Sequence, residues 1–353
     1  MLRKISFSAM ALVCLVQAKA QDSTKTPEPV KTTTITGSVD VYYRFNFANA
    51  KSTLSTNNAT SFTNSHNSFE LGMASVKVAH SFGKIGAVLD LGFGSRAREF
   101  SYNEDGITQA VKQAYVTFAP SSKVTFTMGK FGTHVGYELL DPQLNRNYSM
   151  SYMFSYGPFS HTGLKMDVAL SSTAGFMIGV ANPTDYISAP FEKKFFLAQF
   201  HAGTANGKFT AYLNYVGGKD TSKTTQNQFD LTILSKITDK FGIGFNATIK
   251  SVKPEGVSSE KWGGAAVYLN ADPTDKFGFT VRGEDFNDKK NATGYFGTSL
   301  YEITGTLNIK PMSGLTIMPE LRYDGAKDPY FTKHDGAGTK STFSVLLAAV
   351  YSF

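Results

Sequence analysis

Several short stretches of the chain place ionisable side chains two residues apart: Arg96 and Arg98, Arg282 and Glu284, and Glu320, Arg322 and Asp324. Arg44, Lys77, Asp90, Lys112 and Glu302 sit singly in similar surroundings. The residues between and beside them are apolar, as with Leu91 and Phe93, or Leu321 and Tyr323. A spacing of two puts side chains on one face of an extended strand. Each set would therefore project charge into a common space, where it could steer or hold ions. Catalytic readings fail on spacing. Ser160 and His161 are neighbours, so on a strand they point to opposite faces and cannot serve as nucleophile and base for each other, with or without Asp141. The six histidines are scattered and lack a zinc-type spacing. Asp324-Gly325-Ala326-Lys327-Asp328 departs from a calcium loop. No catalytic residue, metal site or cofactor is expected.

The elements that must carry these charges are strands. The chain ends TFSVLLAAVYSF, in which Phe343, Val345, Leu347, Ala349, Tyr351 and Phe353 share one face. Taken alone, that strand fits a sandwich core or a membrane wall equally well. The start of the chain favours the membrane. Residues 1–20 combine a basic beginning (Arg3, Lys4), an apolar run and Ala18-Lys19-Ala20, the plan of a secretory signal peptide. The lone Cys14 falls inside it, so the exported chain would be cysteine-free and would need a large fold rather than disulfides. Residues 21–32 are polar and Pro-containing and read as a flexible periplasmic lead.

Composition agrees. Charged residues are 18% and aromatics 13%, yet beyond the signal no apolar run is long enough for a membrane helix. The net charge of +7 is mild and its basic residues are scattered, which argues against nucleic acid. About sixteen alternating segments can be laid out between 33–48 and 341–353, among them 84–100, 108–120, 123–135 and 161–172. The gaps between them alternate between short and long, for example Gly83 against 136–160. That pattern predicts an all-β, antiparallel up-and-down transmembrane barrel over 33–353, with short periplasmic turns and longer external loops.

On such a barrel a Lys or Arg facing lipid at mid-height costs about 2–4 kcal/mol, so the charged parity belongs to the lumen. Arg44, Lys77, Asp90, Arg96, Arg98, Lys112, Arg282, Glu284, Glu302, Glu320, Arg322 and Asp324 are then expected to line the pore. Cations concentrate on strands two to four and anions on strands thirteen to fifteen, a field across the lumen or a set of local salt bridges. Tyr42, Tyr115, Tyr212 and Tyr268 could also point inward and stack on a sugar. The loop 136–160 is too apolar to extend into water and carries Glu138, Asp141, Asn145, Arg146 and Tyr148. It either folds into the lumen as a constriction or packs on a neighbouring subunit. The terminal strand must pair with the first, because lipid offers an open sheet edge no hydrogen-bond partner. Phe353 is expected to act as an assembly signal for the barrel assembly machinery.

GKFGTHVGYE at 129–138, NRNYSMSYMFSYGPFSHTG at 145–163, RGEDFND at 282–288 and PELRYD at 319–324 resemble the OmpL-like family of β-barrel porins found in Bacteroidetes and related bacteria. The resemblance implies one barrel in outer-membrane lipid with pore activity, and names no solute. Passive passage of small hydrophilic solutes, narrowed by the third loop, is the function expected. The alternatives are a solute-selective channel, for example for sugars, and a plugged structural or adhesive barrel. Porins of this size often form trimers, so a homotrimer stays open, although no interface motif is visible.

Overall fold

The computed structural model describes residues 31–51, 55–220 and 223–353. The signal segment 1–20 and most of the lead 21–32 lie outside the described residues. Eight strands make up the first half of the sheet: β1 (Lys31–Asn46), β2 (Ser68–Phe82), β3 (Ile85–Phe93), β4 (Val111–Ser121), β5 (Val124–Gly132), β6 (Ser160–Ala169), β7 (Ala174–Ala181) and β8 (Phe195–Gly203). Seven more follow: β9 (Phe209–Lys219), β10 (Thr225–Lys236), β11 (Phe241–Lys253), β12 (Glu260–Thr274), β13 (Phe277–Asn287), β14 (Ser299–Met312) and β15 (Leu315–Ala326). A small separate hairpin, β16 (Phe331–Thr332) with β17 (Gly338–Thr339), precedes the final barrel strand β18 (Ser341–Ser352). Each barrel strand pairs antiparallel with the next, and β18 pairs with β1, so the sheet closes.

Closure satisfies the backbone without any edge, as hydrocarbon requires. The seam runs from Ser38↔Ser352 to Asn46↔Ser344. It is extended by two bonds between Gly37 and Phe353, each donating an N–H to the other's carbonyl at 3.0 Å. The Phe353 ring lies over Gly37 so closely that a Cβ there would meet its Cζ at 2.5 Å. A Cβ at Gly37 would also meet the Ser75 carbonyl oxygen at 2.8 Å, so glycine on β1 leaves room both for the neighbouring strand and for the terminal aromatic, which is 63% exposed on the outer surface.

Alternation decides the two faces. Val39, Val41, Leu89, Phe93, Ile249, Leu321, Leu347 and Tyr351 are exposed on the outside. Ser38, Asp40, Tyr42, Arg44 and Asn46 of β1, which occupy the other parity, are buried inside. The lead ends earlier than 32, since Lys31 and Thr32 already pair with Phe82 and Ser81.

One strand is shorter than its sequence suggests. The segment 84–100 stays extended only to Phe93, and α1 (Ser95–Phe100) follows. Arg96 and Arg98 are therefore on a helix, not on the third strand. Gly94 makes the break. Its φ of +124° is a conformation that side chains rarely adopt, and a Cβ there would meet the Gly72 carbonyl oxygen at 2.5 Å. Arg, Ala and Glu after it are good helix formers.

The seam geometry generates a first expectation. Phe353→Asp should deplete the protein from outer-membrane fractions, because it puts a charge where the ring covers Gly37 and faces lipid. Gly37→Val should do the same by expelling the ring. Normal amounts of heat-modifiable barrel in both variants would show that the ring is dispensable for closure.

Candidate functional site

The loop joining β5 to β6 spans 133–159 and enters the barrel. It is held there by the inward side chains of almost every strand it passes. Glu320 on β15 accepts the backbone N–H of Tyr148 at 2.9 Å and of Ser149 at 3.2 Å, and the Thr306 hydroxyl at 2.7 Å. Glu284 on β13 accepts the N–H groups of Tyr152 at 2.6 Å and Met153 at 2.7 Å, at the start of α2 (Tyr152–Tyr156). The guanidinium groups take the carbonyls. Arg282 donates to Ser149 at 2.7 Å and Arg322 to Met150 at 2.7 Å. The loop's own side chains complete the set. Glu138 meets Arg282 at 2.5 Å and accepts both the N–H and the hydroxyl of Ser151 at 2.8 Å. Tyr148 donates to Asp40 at 2.5 Å, and Tyr152 to Asp324 at 2.7 Å. Arg146 crosses to Asp272 at 2.8 and 2.9 Å and to Thr280 at 2.8 Å. Asp141 pairs with Lys112, which also reaches Asp90 at 3.1 Å. Asn145 turns back on Leu139 within the loop.

These bonds change the role of the residues expected to line the pore. All of them except Lys77 and Arg98 are buried. Arg282 has no exposed surface and is enclosed by Glu302 at 2.5 Å, Glu138 and the loop carbonyl. Arg322 holds Asp324 with two nitrogens, at 2.8 and 3.0 Å. Arg96 donates to the Leu140 and Tyr148 carbonyls at 3.2 and 3.3 Å, and Arg44 to carbonyls of Thr56, Asn57 and Ser65, each at 3.0 Å. The acidic side of the lumen is thus spent on the loop and on its own arginines, and no bare anionic wall faces the cations. Two of the four tyrosines proposed for stacking are buried as well. Tyr42 packs on Tyr148, and Tyr268 stacks on Tyr137 with ring centroids 4.0 Å apart.

Other loops lock the insertion from outside. Phe62, Phe100, Met150, Phe154 and Phe159 form one buried cluster from three loops. Asp185 accepts the N–H of Phe159 at 2.8 Å and of Ser160 at 2.7 Å, where the inserted loop returns to the wall. Burial pushes this carboxyl up to about 6. At the other end of the loop, His134 bonds the Tyr215 carbonyl at 3.0 Å and its ring lies 5.4 Å from that of His161. Burial holds the His134 imidazole down to about 4, with Lys165 adding to the effect and Asp167 opposing it. Neither end was foreseen from the sequence. The available signal was a polar residue inside an apolar loop, as with Glu138 in VGYELLD, because a charge enclosed there needs a partner.

The family model described as "Putative beta-barrel porin-2, OmpL-like" matches residues 32–353. No curated protein matches in sequence. Among solved structures, an anion-selective porin from Comamonas acidovorans superposes with a TM-score of 0.64 at 9% identity, covering 92% of this chain and all of that one, 100%. The outer membrane channel DcaP of Acinetobacter baumannii gives 0.62 at 13% identity, covering 92% and 97%. In-vitro folded OmpT of Vibrio cholerae, in a trimer form, gives 0.60 at 13% identity, covering 92% and 99%. At these identities the likeness is one of fold.

Two outcomes test the loop's anchoring. Glu320→Ala leaves the Tyr148 and Ser149 amides unmet at a cost of about 1–3 kcal/mol each, so hydrogen exchange in 146–150 should accelerate while the strands stay protected. Unchanged exchange would mean that other anchors suffice. The second outcome is pH dependence. His134 is held below its ordinary 6.5, so a released loop takes up a proton that the packed loop refuses. Its contribution is full above pH 6.5 and is lost as pH falls toward 4. Asp185, raised from 3.8, acts oppositely: it favours packing below about pH 4 and loses that effect as pH rises through 6. Loop protection in His134→Gln should therefore improve on acidification from pH 6.5 to 4.5 relative to the wild type. Asp185→Asn should make the acid loss steeper.

Proposed function

We propose, from the premise that this chain belongs to the OmpL-like family of β-barrel porins and is a porin of the bacterial outer membrane, that small hydrophilic solutes cross it by diffusion along one side of its lumen. One observation carries the proposal: the inner wall is divided in two. From β13 through β15 and β18 to β1 the inward side chains are sealed beneath the inserted loop. From β2 to β9 the inward parity also holds sealed groups such as Asp90, Lys112, Lys130 and Asn214, but it carries Lys77, Gln113, Lys165, Gln199, His201 and Tyr212 as well, each half-buried rather than sealed. These polar groups border the space the loop leaves free. Leu139 and Leu144 of the loop are exposed and supply an apolar counter-face. Hydrogen-bonding groups on one side and a narrow apolar face on the other suit hydrated solutes of limited size.

The loop is thus the constriction, with Glu138, Asp141, Asn145, Arg146 and Tyr148 as its anchors and folding points rather than as its water-facing charges. The protein is a channel rather than an enzyme. The unpaired charges of the free side balance, Lys77 against Glu70 on the same strand. Lys165 is neutralised by Asp167 at 2.8 Å, while Lys77 has no ion pair among the described residues. The trimer form of OmpT supports a homotrimer as the assembly. Outer-membrane lipid and the barrel assembly machinery are the partners that the exposed belt and the Phe353 seam call for.

Planar-bilayer recordings test the reading. Excising 141–156 and closing with a short Gly/Ser turn should raise single-channel conductance in a barrel that still folds. An unchanged conductance would take the loop out of the solute path. Lys77→Glu should move the reversal potential in a salt gradient toward cations, more at low salt, where the Debye length is about 30 Å, than at 0.1 M, where it is about 10 Å. No shift at either salt would place Lys77 off the ion path.

A further inference from the structure

At the external end of the barrel, residues 62–65 of the first long loop, residues 95–109 of the second and the wall at β1 and β2 line an open cleft of about 490 Å³. Its lining includes Tyr42, Phe62, Glu70, Arg98, Glu99 and Tyr102. The size is that of a small-molecule site. The charges in it are of two kinds. Glu99 is already used, since its Oε2 accepts the Phe62 N–H at 2.8 Å and the Asn64 amide at 2.9 Å. Glu70 and Arg98 are not used. Neither side chain makes a hydrogen bond or ion pair with a described residue, and the two lie beyond ion-pair distance of each other.

Both are nevertheless held in place by rigid elements. Glu70 sits opposite Tyr42 in the β1–β2 ladder. Arg98 sits on α1, which Arg96 ties to the inserted loop through the Leu140 and Tyr148 carbonyls. Tyr102 is fixed by a 3.1 Å bond to Asp185, and Phe62 belongs to the buried aromatic cluster. The cleft therefore offers a free carboxylate and a free guanidinium, set apart, beside the exposed ring of Tyr102.

We propose that this cleft binds a small zwitterion, a free amino acid or a short peptide, with its ammonium group on Glu70 and its carboxylate on Arg98. A simple anion would face two carboxylates, Glu70 and Glu99. A simple cation would face Arg98. A neutral solute would leave both free charges unmatched. A molecule carrying both charges meets each with its complement, and Arg98 can hold a carboxylate through two parallel hydrogen bonds. The exposed Tyr102 ring then covers its apolar portion. The site deepens the porin reading, which it needs only for the route by which the ligand arrives.

Purified full-length porin in detergent micelles should bind dialanine saturably, as read by saturation-transfer NMR and titration calorimetry. Glu70→Gln and Arg98→Gln, each removing one charge, should weaken binding by about tenfold or more, as should N-acetylalanine methylamide used in place of dialanine. Heat-modifiable migration shows that each variant is folded. The proposal is overturned if glucose or the neutral peptide binds the wild type as well as dialanine does, if both folded variants bind like the wild type, or if dialanine shows no saturation. The neutral-peptide comparison decides even where a variant fails to fold. Conductance separates the two readings: a non-conducting protein that binds dialanine refutes the diffusion reading alone, and a conducting one that does not bind refutes this one alone.

Discussion

A carboxylate enclosed within a barrel must find donors, and in this protein the backbone of the inserted loop provides them. Glu284 and Glu320 each accept two consecutive N–H groups of that loop, while Arg282 and Arg322 take the carbonyls between. Wall and loop thus solve each other's problem. The loop has no secondary-structure partner for its main chain over 146–150, and the wall has charges that could not remain dry without one. Removing one member of such a buried pair leaves an uncompensated charge, at a cost of about 3–5 kcal/mol. The insertion is therefore a cooperative feature of the fold, and the shape of the water path follows from it.

The same constraint explains why the lumen has two unlike sides. Where the loop lies, inward polar groups are saturated by protein. Where it does not, from β2 to β9, a set of polar side chains that includes Lys77, Gln113, Lys165, Gln199 and His201 stays half-buried, beside others such as Lys130 and Asn214 that are sealed. On the proposed route, selectivity would rest on a few half-buried groups, such as Lys77, and not on the larger number of charges that the inner parity contains. Outside, lipid imposes the complementary rule. The apolar parity is exposed around the sheet, and the one place where the chain could have left an edge is sealed by Phe353 against Gly37.

The external loops tie these layers together. Arg44 and Arg96 hold loop carbonyls, the cluster around Phe62 and Phe159 joins three loops, and Asp185 clamps the return of the inserted loop. Two titratable groups guard its ends with opposite pH responses, His134 near its start and Asp185 against its finish. Over the mildly acidic range their effects oppose each other, which limits how far acidification alone can loosen the constriction.

Period-two alternation, turn residues and the apolar C-terminal strand determined the barrel, its strand number and its inside and outside, because those depend only on which neighbours share a face. The charges at 282–284 and 320–324 were legible as inward for the same reason. Their purpose was not. Whether an inward Arg or Glu meets water or a loop depends on contacts between residues more than a hundred positions apart, such as Arg282 with Glu138 or Glu320 with Tyr148. No local pattern encodes such contacts. The run 84–100 shows the limit from the other side: a single left-handed Gly94, forced by its approach to Gly72 on the neighbouring strand, ends β3 and turns Arg96 and Arg98 onto a helix. Alternation carries the pleat of one strand, whereas burial, pairing and the cleft between the first two loops belong to the closed barrel, where distant segments compete for the same interior space.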